Sequence, residues 1–360
     1  MTQKILKLGF QGWFLAEPYT GIGKHCRGLL QALAKEKNLK IEVLVPSPVK
    51  VEGVPAGWFT VIKPKKSILQ KSLQKAYWER VQVPAYLAKK NLDWEYYPYP
   101  CPLPARSNHQ RAMTVHDLIL WEDPRYKGGK LKARYHRESK RTLIHVDQLF
   151  TVTHAVHHEL GIPTAAVLLN AVTPVKLTPL KTKKSPHKTL IYLGGYDVRK
   201  QVPELVKAFI DFQKTHPEYI LELIGSPLHA SKLYPAVPKH PAVNELGSLS
   251  EKELAKKLQE SWALLHASDS EGFNLPLLEA MQAGLPAVVR DIPVNREVSE
   301  GKALFWNPSK KTDLSRIMKM LEDPTKRKEV ISGQKKVSQK YSWEKSAKLL
   351  LKTLTRKTRP

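Results

Sequence analysis

Two glutamates, Glu271 and Glu279, are separated by seven residues in the segment SDSEGFNLPLLEAMQ, which spans Ser268–Gln282. The segment follows an apolar strand and leads into a helix, so we expect one carboxylate on the turn and the other about two turns along the helix. Gly272 permits close approach of the backbone, and free N–H groups in the first helical turn can bind phosphate oxygens. Because a carboxylate on such a helix can accept hydrogen bonds from ribose hydroxyls, these residues predict a nucleotide site.

Two adjacent basic residues, Arg199 and Lys200, stand where a predicted strand gives way to a predicted helix. Arg can present a two-pronged fork and Lys a point charge to the same phosphate, which would make a metal ion unnecessary. The helix macrodipole disfavours cations at a helix start, so their position favours a functional role over a solvated surface pair. His116 also follows a hydrophobic strand, and the neighbouring Asp117 could fix the orientation of its ring.

The elements that position these side chains are predicted from the alternation of short apolar runs with helix-length amphipathic segments. This rhythm is typical of parallel α/β units, and it occurs twice along the chain. In the first half the predicted strands are Ile5–Phe10, Ile41–Val45, Trp94–Tyr97, Ala112–Val115, Gln148–Val152 and Ala166–Leu169. In the second half they are Leu190–Leu193, Ile220–Ile224, Val243–Leu246, Ala263–His266, Ala287–Val289 and Leu304–Trp306. Since such sheets bind ligands at the carboxyl ends of their strands, we expect a cleft between two domains.

The stretch Ala171–Lys188 separates the two sets of strands. It is rich in Pro, Thr and Lys and has no sustained hydrophobic period, which is typical of a linker between domains. The predicted parts of the chain are therefore a first domain, a linker, a second domain and a C-terminal helix, at residues 1–172, 173–188, 189–340 and 341–360.

The composition is that of a globular protein, because 42% of the residues are hydrophobic and 26% are charged. The net charge of +26 favours an anionic partner, either nucleic acid, an acidic membrane surface or a phosphorylated substrate. Two cysteines, Cys26 and Cys101, exclude a disulfide scaffold and a Cys-rich zinc module, and fit a reducing compartment. The sequence shows neither a signal peptide nor an apolar run of roughly 18 residues, so we expect a cytoplasmic protein whose contact with a membrane is peripheral.

Two basic stretches, Ile62–Arg80 and Arg125–Arg141, each have two interpretations. In the first stretch, Leu69, Leu73, Ala76 and Tyr77 share one helical face, while Lys71 and Lys75 lie elsewhere. Both stretches can be core helices with solvated basic sides. Alternatively they form a surface of the first domain that binds anionic lipid or a lipid-diphosphate acceptor, with about 1 kcal/mol of attraction from each Lys or Arg.

Other chemistry-bearing residues do not form a convincing site. His154, His157 and His158 lie close together, but Glu159 is not placed as in the His-Glu-x-x-His zinc pattern, so we interpret them as residues of a helix surface. The two cysteines lie on an amphipathic helix and in a Pro-rich loop without an activating base, which argues against a catalytic thiol. The sequence requires no metal.

The segment EGFNLPLLEAMQAGLPAVV resembles the Glu-x7-Glu signature of retaining glycosyltransferases with two Rossmann-like domains, specifically glycosyltransferase family 4, or group 1. Further segments resemble this family in the expected order: TGIGKHCRGLLQAL (Thr20–Leu33), TVHDLILWEDPRY (Thr114–Tyr126), VDQLFTVTHAVHHEL (Val146–Leu160) with the following Asn170, and IYLGGYDVRKQVPELVKAF (Ile191–Phe209). The resemblance implies the α/β fold called GT-B, in which an acceptor domain and a nucleotide-sugar-binding domain, both Rossmann-like and doubly wound, face a cleft. It also implies that the final helix, which contains SWEKSAK, crosses back to the first domain.

The resemblance further implies roles for particular residues. The implied catalytic residues are His116 beside the donor sugar, Arg199 and Lys200 on the leaving diphosphate, and Glu271 on the sugar. The implied donor-binding residues are Gly21, Gly23, Gly272, Phe273, Asn274, Leu275 and Glu279, the last of these on the ribose. The sequence departs from the family at Gly195, where many relatives carry an additional Arg. Arg199 and Lys200 are therefore expected to provide more of the stabilisation of the leaving diphosphate.

The implied function is retaining transfer of a hexose from a nucleotide-diphosphate sugar to a glycan or glycolipid acceptor, with no metal and no other cofactor. The segments HDL…DPRY and RKQVPELVKAF look most like mannosyltransferases of polysaccharide biosynthesis, which makes GDP-mannose the leading donor. The alternatives are a UDP-hexose donor, and a basic polyanion- or lipid-binding protein with an inert cleft. Nucleic acid is not an expected partner because no RRM, KH or helix-turn-helix signature is present. The expected location is the cytoplasm, at the inner face of the cell membrane.

Overall fold

The computed structural model describes residues 5–65, 70–126, 128–173, 188–225 and 236–357. The chain forms two compact units, of which the first comprises residues 1–172 and 342–360 and the second residues 173–341. Most of the predicted linker, residues 174–187, lies outside the described residues. Lys188, which composition places in that linker, is instead the first residue of a strand and pairs with Tyr219.

The described residues of the first unit form a seven-stranded parallel sheet with the order β3-β2-β1-β4-β5-β6-β7. The strands are β1 (Leu6–Gln11), β2 (Leu39–Val45), β3 (Phe59–Val61), β4 (Trp94–Tyr97), β5 (Gln110–Val115), β6 (Gln148–Thr151) and β7 (Ala166–Val167). The helices are α1 (Gly21–Leu33), α2 (Lys71–Tyr77), α3 (Val83–Leu87), α4 (Ile119–Glu122), α5 (Lys130–Thr142) and α6 (His154–Leu160). Central strands such as β4 are buried along their whole length, because helices cover both faces of a parallel sheet.

The described residues of the second unit form a six-stranded parallel sheet with the order β10-β9-β8-β11-β12-β13. The strands are β8 (Lys188–Leu193), β9 (Tyr219–Ile224), β10 (Val243–Gly247), β11 (Ala263–His266), β12 (Ala287–Arg290) and β13 (Leu304–Trp306). The helices are α7 (Val202–Gln213), α8 (Glu251–Glu260), α9 (Leu275–Ala283), α10 (Pro293–Val298), α11 (Lys311–Glu322) and α12 (Pro324–Ser338). Aromatic and aliphatic side chains from α7, α11 and the sheet form one buried core.

The last helix, α13 (Trp343–Lys357), belongs to the first unit and packs against α1. Gly28 of α1 makes this contact close, because a Cβ atom there would lie 2.2 Å from the Trp343 indole. Lys35 pairs with Glu344 at 2.6 Å, and the Ser346 hydroxyl donates to the carbonyl of Leu169 at 2.6 Å. The chain therefore returns to its first unit after completing the second.

The α/β fold class predicted from the sequence is confirmed, including the C-terminal helix that crosses back. Each of the twelve predicted strands corresponds to an observed strand, and Trp94–Tyr97, Ala263–His266 and Leu304–Trp306 agree to the residue. The prediction missed β3, because three residues at the edge of a sheet are too few to show a period.

Candidate functional site

Two cations and a carboxylate form a cluster at the carboxyl edge of the second unit's sheet. Arg199 and Lys200 end a 3₁₀ turn between β8 and α7, and Glu271 lies between β11 and α9. Because β8 and β11 are neighbours in the sheet, the loops that leave them meet. Arg199 Nη1 donates to Glu271 Oε2 at 2.7 Å, and Lys200 Nζ donates to Glu271 Oε1 at 2.5 Å.

The two loops of this cluster are also joined through the backbone. Arg199 Nη1 donates to the carbonyl of Ser270 at 2.8 Å, and the N–H of Asp269 donates to the carbonyl of Arg199 at 3.0 Å. Gln201 Nε2 donates to the Asp269 carboxylate at 3.0 Å. Gln201 has a φ of 51°, a left-handed conformation that costs a non-glycine residue about 1 kcal/mol or more. The hydrogen bonds between the two loops fix the positions of Arg199 and Lys200 and offset the cost of the Gln201 backbone conformation.

The electrostatics of the cluster favour an anionic ligand. Burial alone would raise the pKa of the Glu271 carboxyl, but Arg199 and Lys200 outweigh it and hold that pKa well below its usual range. Burial and Arg199 lower the pKa of Lys200 by more than Glu271 raises it. A further carboxylate, that of Asp197, is partly exposed and lies 3.9 Å from Arg199 Nε. The buried Lys200 and the partly exposed Arg199 therefore share the buried carboxylate of Glu271, and a further anion would lower the energy of both cations.

Helix α9 begins with three side chains that the sequence analysis assigns to donor binding. Asn274 has a φ of 66°; its Oδ1 accepts from the N–H of Leu277 at 3.4 Å and its Nδ2 donates to Asn295 Oδ1 at 2.8 Å. Phe273 and Leu275 are buried in the second unit. Asn274 thus caps α9, and all three side chains are buried, while the backbone N–H groups of a first helical turn can bind an anion.

The two spaced glutamates occupy the loop and the helix that their spacing predicts. Gly272 follows Glu271 in the loop and is buried, and Glu279 lies in the second turn of α9, where it is partly buried. Both glutamates thus belong to one loop and helix at the carboxyl end of β11.

Sequence reasoning missed a buried histidine that lies near Glu271. His266 is the last residue of β11, and its ring stacks on Tyr192 with the ring centroids 5.5 Å apart. Its Nε2 is 4.0 Å from Glu271 Oε1. Burial, together with Lys200 and Arg199, lowers the pKa of His266 to about 3, so the ring is neutral at pH 7. The available signal was one imidazole at the end of an otherwise apolar strand.

In the first unit, His116 directly follows β5 and is held by a backbone carbonyl. Its Nε2 lies 2.8 Å from the carbonyl oxygen of Pro98, which can only accept, so Nε2 carries the proton. Burial lowers the pKa of His116 to about 4, which leaves Nδ1 as the basic nitrogen of a neutral ring. The carboxylate of Asp117 accepts from the N–H of Ile119 at 3.1 Å. The carbonyl of Pro98 thus supplies a hydrogen bond that orients His116.

A second histidine of the first unit, His25, packs edge-on against His116 with the ring centroids 4.8 Å apart. Its Nδ1 donates to Asn170 Oδ1 at 2.7 Å, and its Nε2 accepts from the Tyr96 hydroxyl at 3.2 Å. The Tyr96 hydroxyl also lies 2.6 Å from Thr114 Oγ1. Burial and the neighbouring His116 lower the pKa of His25 to about 3. This buried network forms one side of the His116 environment.

The two glycines of the predicted loop differ in their surroundings. Gly21 is exposed at the start of α1, and a Cβ atom there would meet nothing within 4 Å. Gly23 is buried, and a Cβ atom there would lie 2.2 Å from the carbonyl oxygen of Glu17. Thr20 caps the helix by accepting from the N–H of Gly23 at 3.0 Å. Gly23 is therefore required by packing, whereas Gly21 leaves the helix start open to a ligand.

The residues that the sequence analysis set aside lie on helices or in the core. His154, His157 and His158 are residues of α6. Burial raises the pKa of the Cys26 and Cys101 thiols, which makes both unreactive. In the part of the chain that the structure describes, no group of three His, Cys, Asp or Glu residues could hold a metal ion.

The two basic stretches meet in the first unit. Lys75 Nζ lies 2.6 Å from the Glu79 carboxylate and 2.9 Å from the Tyr135 hydroxyl, which itself donates to Glu79 at 2.8 Å. Arg80 pairs with Glu138 of α5. The helical face predicted to begin at Leu69 is not described at that residue, since the structure omits 66–69 and α2 begins at Lys71.

The exposed side of α5 is both basic and apolar. Leu131 is 53% exposed, and Ile144, just beyond the helix, is 82% exposed. The exposed basic residues of this helix are Lys130, Lys132, Arg134, Arg137, Lys140 and Arg141. None of the described helices has both the length and the apolar content needed to span a bilayer.

Residues 179–337, less than half of the chain, match the family of glycosyl transferases, group 1, which confirms the resemblance of the segments in the second half to that group. The serotype-specific mannosyltransferase WbdA of Escherichia coli is 30% identical over 176 residues, which cover 46% of this chain and 21% of that protein. The O-antigen chain mannosyltransferase RfbU of Salmonella typhimurium is 36% identical over 80 residues, or 22% of this chain and 23% of that protein. The aligned region thus spans less than a quarter of each of these relatives.

Solved structures match nearly the whole chain. Sucrose-phosphate synthase from Thermosynechococcus elongatus superimposes with a TM-score of 0.74 at 17% identity over 98% of each chain. HepE of Anabaena, in complex with UDP and glucose, gives a TM-score of 0.71 at 14% identity over 97% of this chain and 99% of that one. WaaG, a glycosyltransferase involved in lipopolysaccharide biosynthesis, gives the same TM-score, identity and shares. These likenesses confirm the GT-B fold with its two Rossmann-like domains.

Proposed function

We propose that this chain, whose residues 179–337 belong to the group 1 glycosyl transferases, is a hexosyltransferase that uses a nucleotide-diphosphate sugar and retains the configuration of the sugar. The observation that carries the proposal is the cluster of the partly exposed Arg199 with the buried Lys200 and Glu271 at the carboxyl edge of the second unit's sheet. Ligands of doubly wound sheets bind at that edge. A nucleoside diphosphate supplies the negative charge that the cluster lacks.

The two cations support departure of the nucleotide. As the bond between the sugar and the diphosphate breaks, negative charge develops on the leaving phosphate, and donors already in position stabilise that charge in the transition state. Arg199 is bonded to Ser270 and Asp269 through its side chain and backbone, so it needs little reorganisation when the charge forms. Lys200 adds a point charge from the same turn.

Metal independence is part of the proposal. Arg199 and Lys200 supply the charge stabilisation that a divalent ion would otherwise supply to a diphosphate. We therefore expect turnover in the presence of a chelator to equal turnover without it. A rate that falls on chelation and returns with Mg²⁺ or Mn²⁺ would overturn this part of the proposal.

Mannose from GDP-mannose is the donor that we propose. The support is the mannosyltransferase names of two relatives, WbdA and RfbU. A UDP-hexose is the alternative, because HepE, which has the same fold, was solved with UDP and glucose. The residues of the cluster serve either donor, since they address the diphosphate and not the base.

The first unit supplies the acceptor side in this proposal. His116 is a neutral ring whose Nε2 is fixed by Pro98 and whose Nδ1 is basic, so it can accept a hydrogen bond from a sugar or acceptor hydroxyl. Gly21 leaves the start of α1 open, where backbone N–H groups favour an anion. We propose a glycan or lipid-linked glycan as the acceptor.

We also propose that α5 binds the anionic inner face of a cell membrane in the cytoplasm. Exposed apolar side chains at Leu131 and Ile144 accompany the exposed basic residues, which combines insertion with electrostatic attraction. The test is sedimentation with vesicles containing phosphatidylglycerol, compared with vesicles of phosphatidylcholine alone. Ile144→Ser should weaken sedimentation, while the exposed Leu349→Ser on α13 serves as the matched control. Equal sedimentation of both variants would indicate that α5 is a core helix whose basic side faces solvent and does not bind lipid.

The experiment that tests the main proposal measures the melting temperature with GDP, UDP, ADP and their common sugar conjugates, each with and without EDTA. A nucleotide that binds the folded state raises the melting temperature. We expect a chelator-insensitive shift with GDP, followed by release of GDP from GDP-mannose when acceptor is added. A shift with UDP alone would replace GDP-mannose by a UDP-hexose as the proposed donor. No shift with any nucleotide, together with retained vesicle binding, would favour a lipid-binding protein with an inert site.

The matched variants are Arg199→Ala and Lys207→Ala. Arg199→Ala removes one of the two cations and should abolish the shift, whereas Lys207 is exposed on α7 and its replacement should leave the shift unchanged. Loss of the shift in both variants would point to general electrostatic attraction, and loss in neither would exclude the cluster as the nucleotide site.

A further inference from the structure

His266 is a fully buried histidine whose ring nitrogens lack partners. Among the residues that the structure describes, neither Nδ1 nor Nε2 makes a hydrogen bond, although the ring is 0% exposed and water does not reach it. Buried polar groups without partners are unfavourable and uncommon in native proteins. The ring stacks on Tyr192 at an interplanar angle of 16°. A phenylalanine would make the same stacking contact at no such cost, so packing does not account for the imidazole.

The nearest charged oxygen to this ring belongs to Glu271. Nε2 of His266 lies 4.0 Å from Glu271 Oε1, about 1 Å beyond hydrogen-bond distance. That oxygen already accepts from Lys200 at 2.5 Å, and Oε2 accepts from Arg199 at 2.7 Å. His266 is thus adjacent to a carboxylate whose oxygens are occupied by the two cations of the cluster.

A bound diphosphate changes this balance. Its oxygens compete with Glu271 for Arg199 and Lys200, because phosphate and carboxylate oxygens accept hydrogen bonds from the same two cations. Each bond that a cation transfers to phosphate is lost by a carboxylate that is almost inaccessible to water. A buried carboxylate without donors is strongly disfavoured, so Glu271 needs a replacement donor at the moment of binding.

We propose that His266 is a positioning residue: it donates a hydrogen bond to Glu271 when Arg199 and Lys200 turn from this carboxylate to the diphosphate of the donor. The neutral ring donates a hydrogen bond from its Nε2–H to Glu271, and no proton is transferred. This bond keeps the carboxylate ionised and oriented toward the sugar hydroxyls. The inference rests on the proposed function, since it requires a diphosphate at the cluster.

The charged and titratable groups that face the ring support a neutral donor. Arg199 and Lys200 repel a proton on His266, whereas Glu271 attracts one, and the Tyr192 ring stacks on the imidazole. Burial and the two cations prevail and keep the imidazole neutral, so a single N–H is available. Loss of the cations to phosphate strengthens the attraction between that N–H and Glu271.

The test is the affinity of the full chain for GDP and UDP, measured by titration calorimetry without any sugar or acceptor. The variants are His266→Phe, which keeps the stacking and removes the donor, and His266→Gln, whose amide N–H restores one. Each is also made with Glu271→Gln, which removes the negative charge that needs a donor. Guanosine and uridine, which lack phosphates, are the control ligands. A melting curve establishes that each variant folds, and His266→Leu is the second donor-less variant.

We expect His266→Phe to weaken nucleoside diphosphate binding about tenfold, as expected for loss of a hydrogen bond to a charged group, and His266→Gln to restore most of it. In the Glu271→Gln background, His266→Phe should change the affinity by less than about twofold. Nucleoside binding should be the same throughout.

Two results would overturn the inference while leaving the proposed function intact. The first is wild-type affinity in His266→Phe or His266→Leu, and the second is an equal loss with and without Glu271→Gln. If the wild-type chain binds neither GDP nor UDP, the proposed function fails and the inference fails with it.

Discussion

Replacing Lys200 by Met should change the stability of the second unit by less than about 1 kcal/mol, whereas Glu271→Gln should lower it by about 3 kcal/mol. The reason is that the buried Lys200 and the partly exposed Arg199 share the buried carboxylate of Glu271. Glu271→Gln leaves the buried Lys200 and the partly exposed Arg199 without this anion, and the loss of one partner of a buried pair is costly. Lys200→Met removes the cation whose charged form is disfavoured there, as the lowered pKa of its amine indicates, and leaves Arg199 paired with Glu271.

The assay is unfolding in urea followed by hydrogen exchange in peptides that contain β11, which reports on the second unit alone. Lys207→Met, at an exposed position of the adjacent α7, is the control and should match the wild type. The same Lys200→Met protein should lose about a hundredfold or more in turnover, because the leaving phosphate loses a donor. Equal destabilisation by Lys200→Met and Glu271→Gln would show that the Lys200 ammonium stabilises the fold, and would refute the reasoning.

Three further predictions concern the first unit. Gly21→Ala should leave the melting temperature unchanged and lower turnover, because the open space at Gly21 is where a ligand binds. Gly23→Ala should lower the melting temperature, because its Cβ meets the carbonyl of Glu17. Wild-type turnover in Gly21→Ala would show that Gly21 does not contact the ligand. Gly28→Ala should destabilise the unit by about 1–3 kcal/mol in urea, since its Cβ meets the Trp343 ring, and Trp343→Phe should recover part of the loss. The pKa of His25 in the folded chain is about 3, below its ordinary 6.5, so below pH 6.5 the unfolded chain binds a proton that the native state does not, and His25 alone should lower the stability by about 1.6 kcal/mol between pH 6.5 and 5. Urea titrations at both pH values measure this fall, and an unchanged slope in His25→Gln would contradict it.

The backbone at the edge of the cluster is strained at two positions of the second unit. Gln201 and Asn274 both adopt left-handed backbone conformations at the starts of α7 and α9, the two helices that follow the loops of the cluster. Asn tolerates this conformation better than Gln, because its short side chain bonds to the nearby backbone. We interpret the conformation of Gln201 as strain that the bond to Asp269 offsets.

The strands could be predicted from the sequence because they are buried on both faces. A parallel strand covered by helices on each side is a continuous apolar run. The ends of the apolar runs Ala263–His266 and Leu304–Trp306 therefore predict the ends of these strands. The position of Glu279 on α9 also followed from local spacing, since a helix has a fixed rise per residue. The short edge strand β3 had no such signal.

The amino-acid sequence by itself determined which residues form strands and helices, and it placed Glu271, Arg199 and His116 after strand ends. Only the tertiary structure decided that Arg199 and Lys200 bind Glu271, from which they are separated by 72 and 71 residues. The neighbouring position of β8 and β11 brings these loops together, and local periodicity does not encode strand order. The same contacts bury His266 beside Glu271; the sequence shows an imidazole at the end of an apolar strand, and only the tertiary structure shows which carboxylate lies next to it.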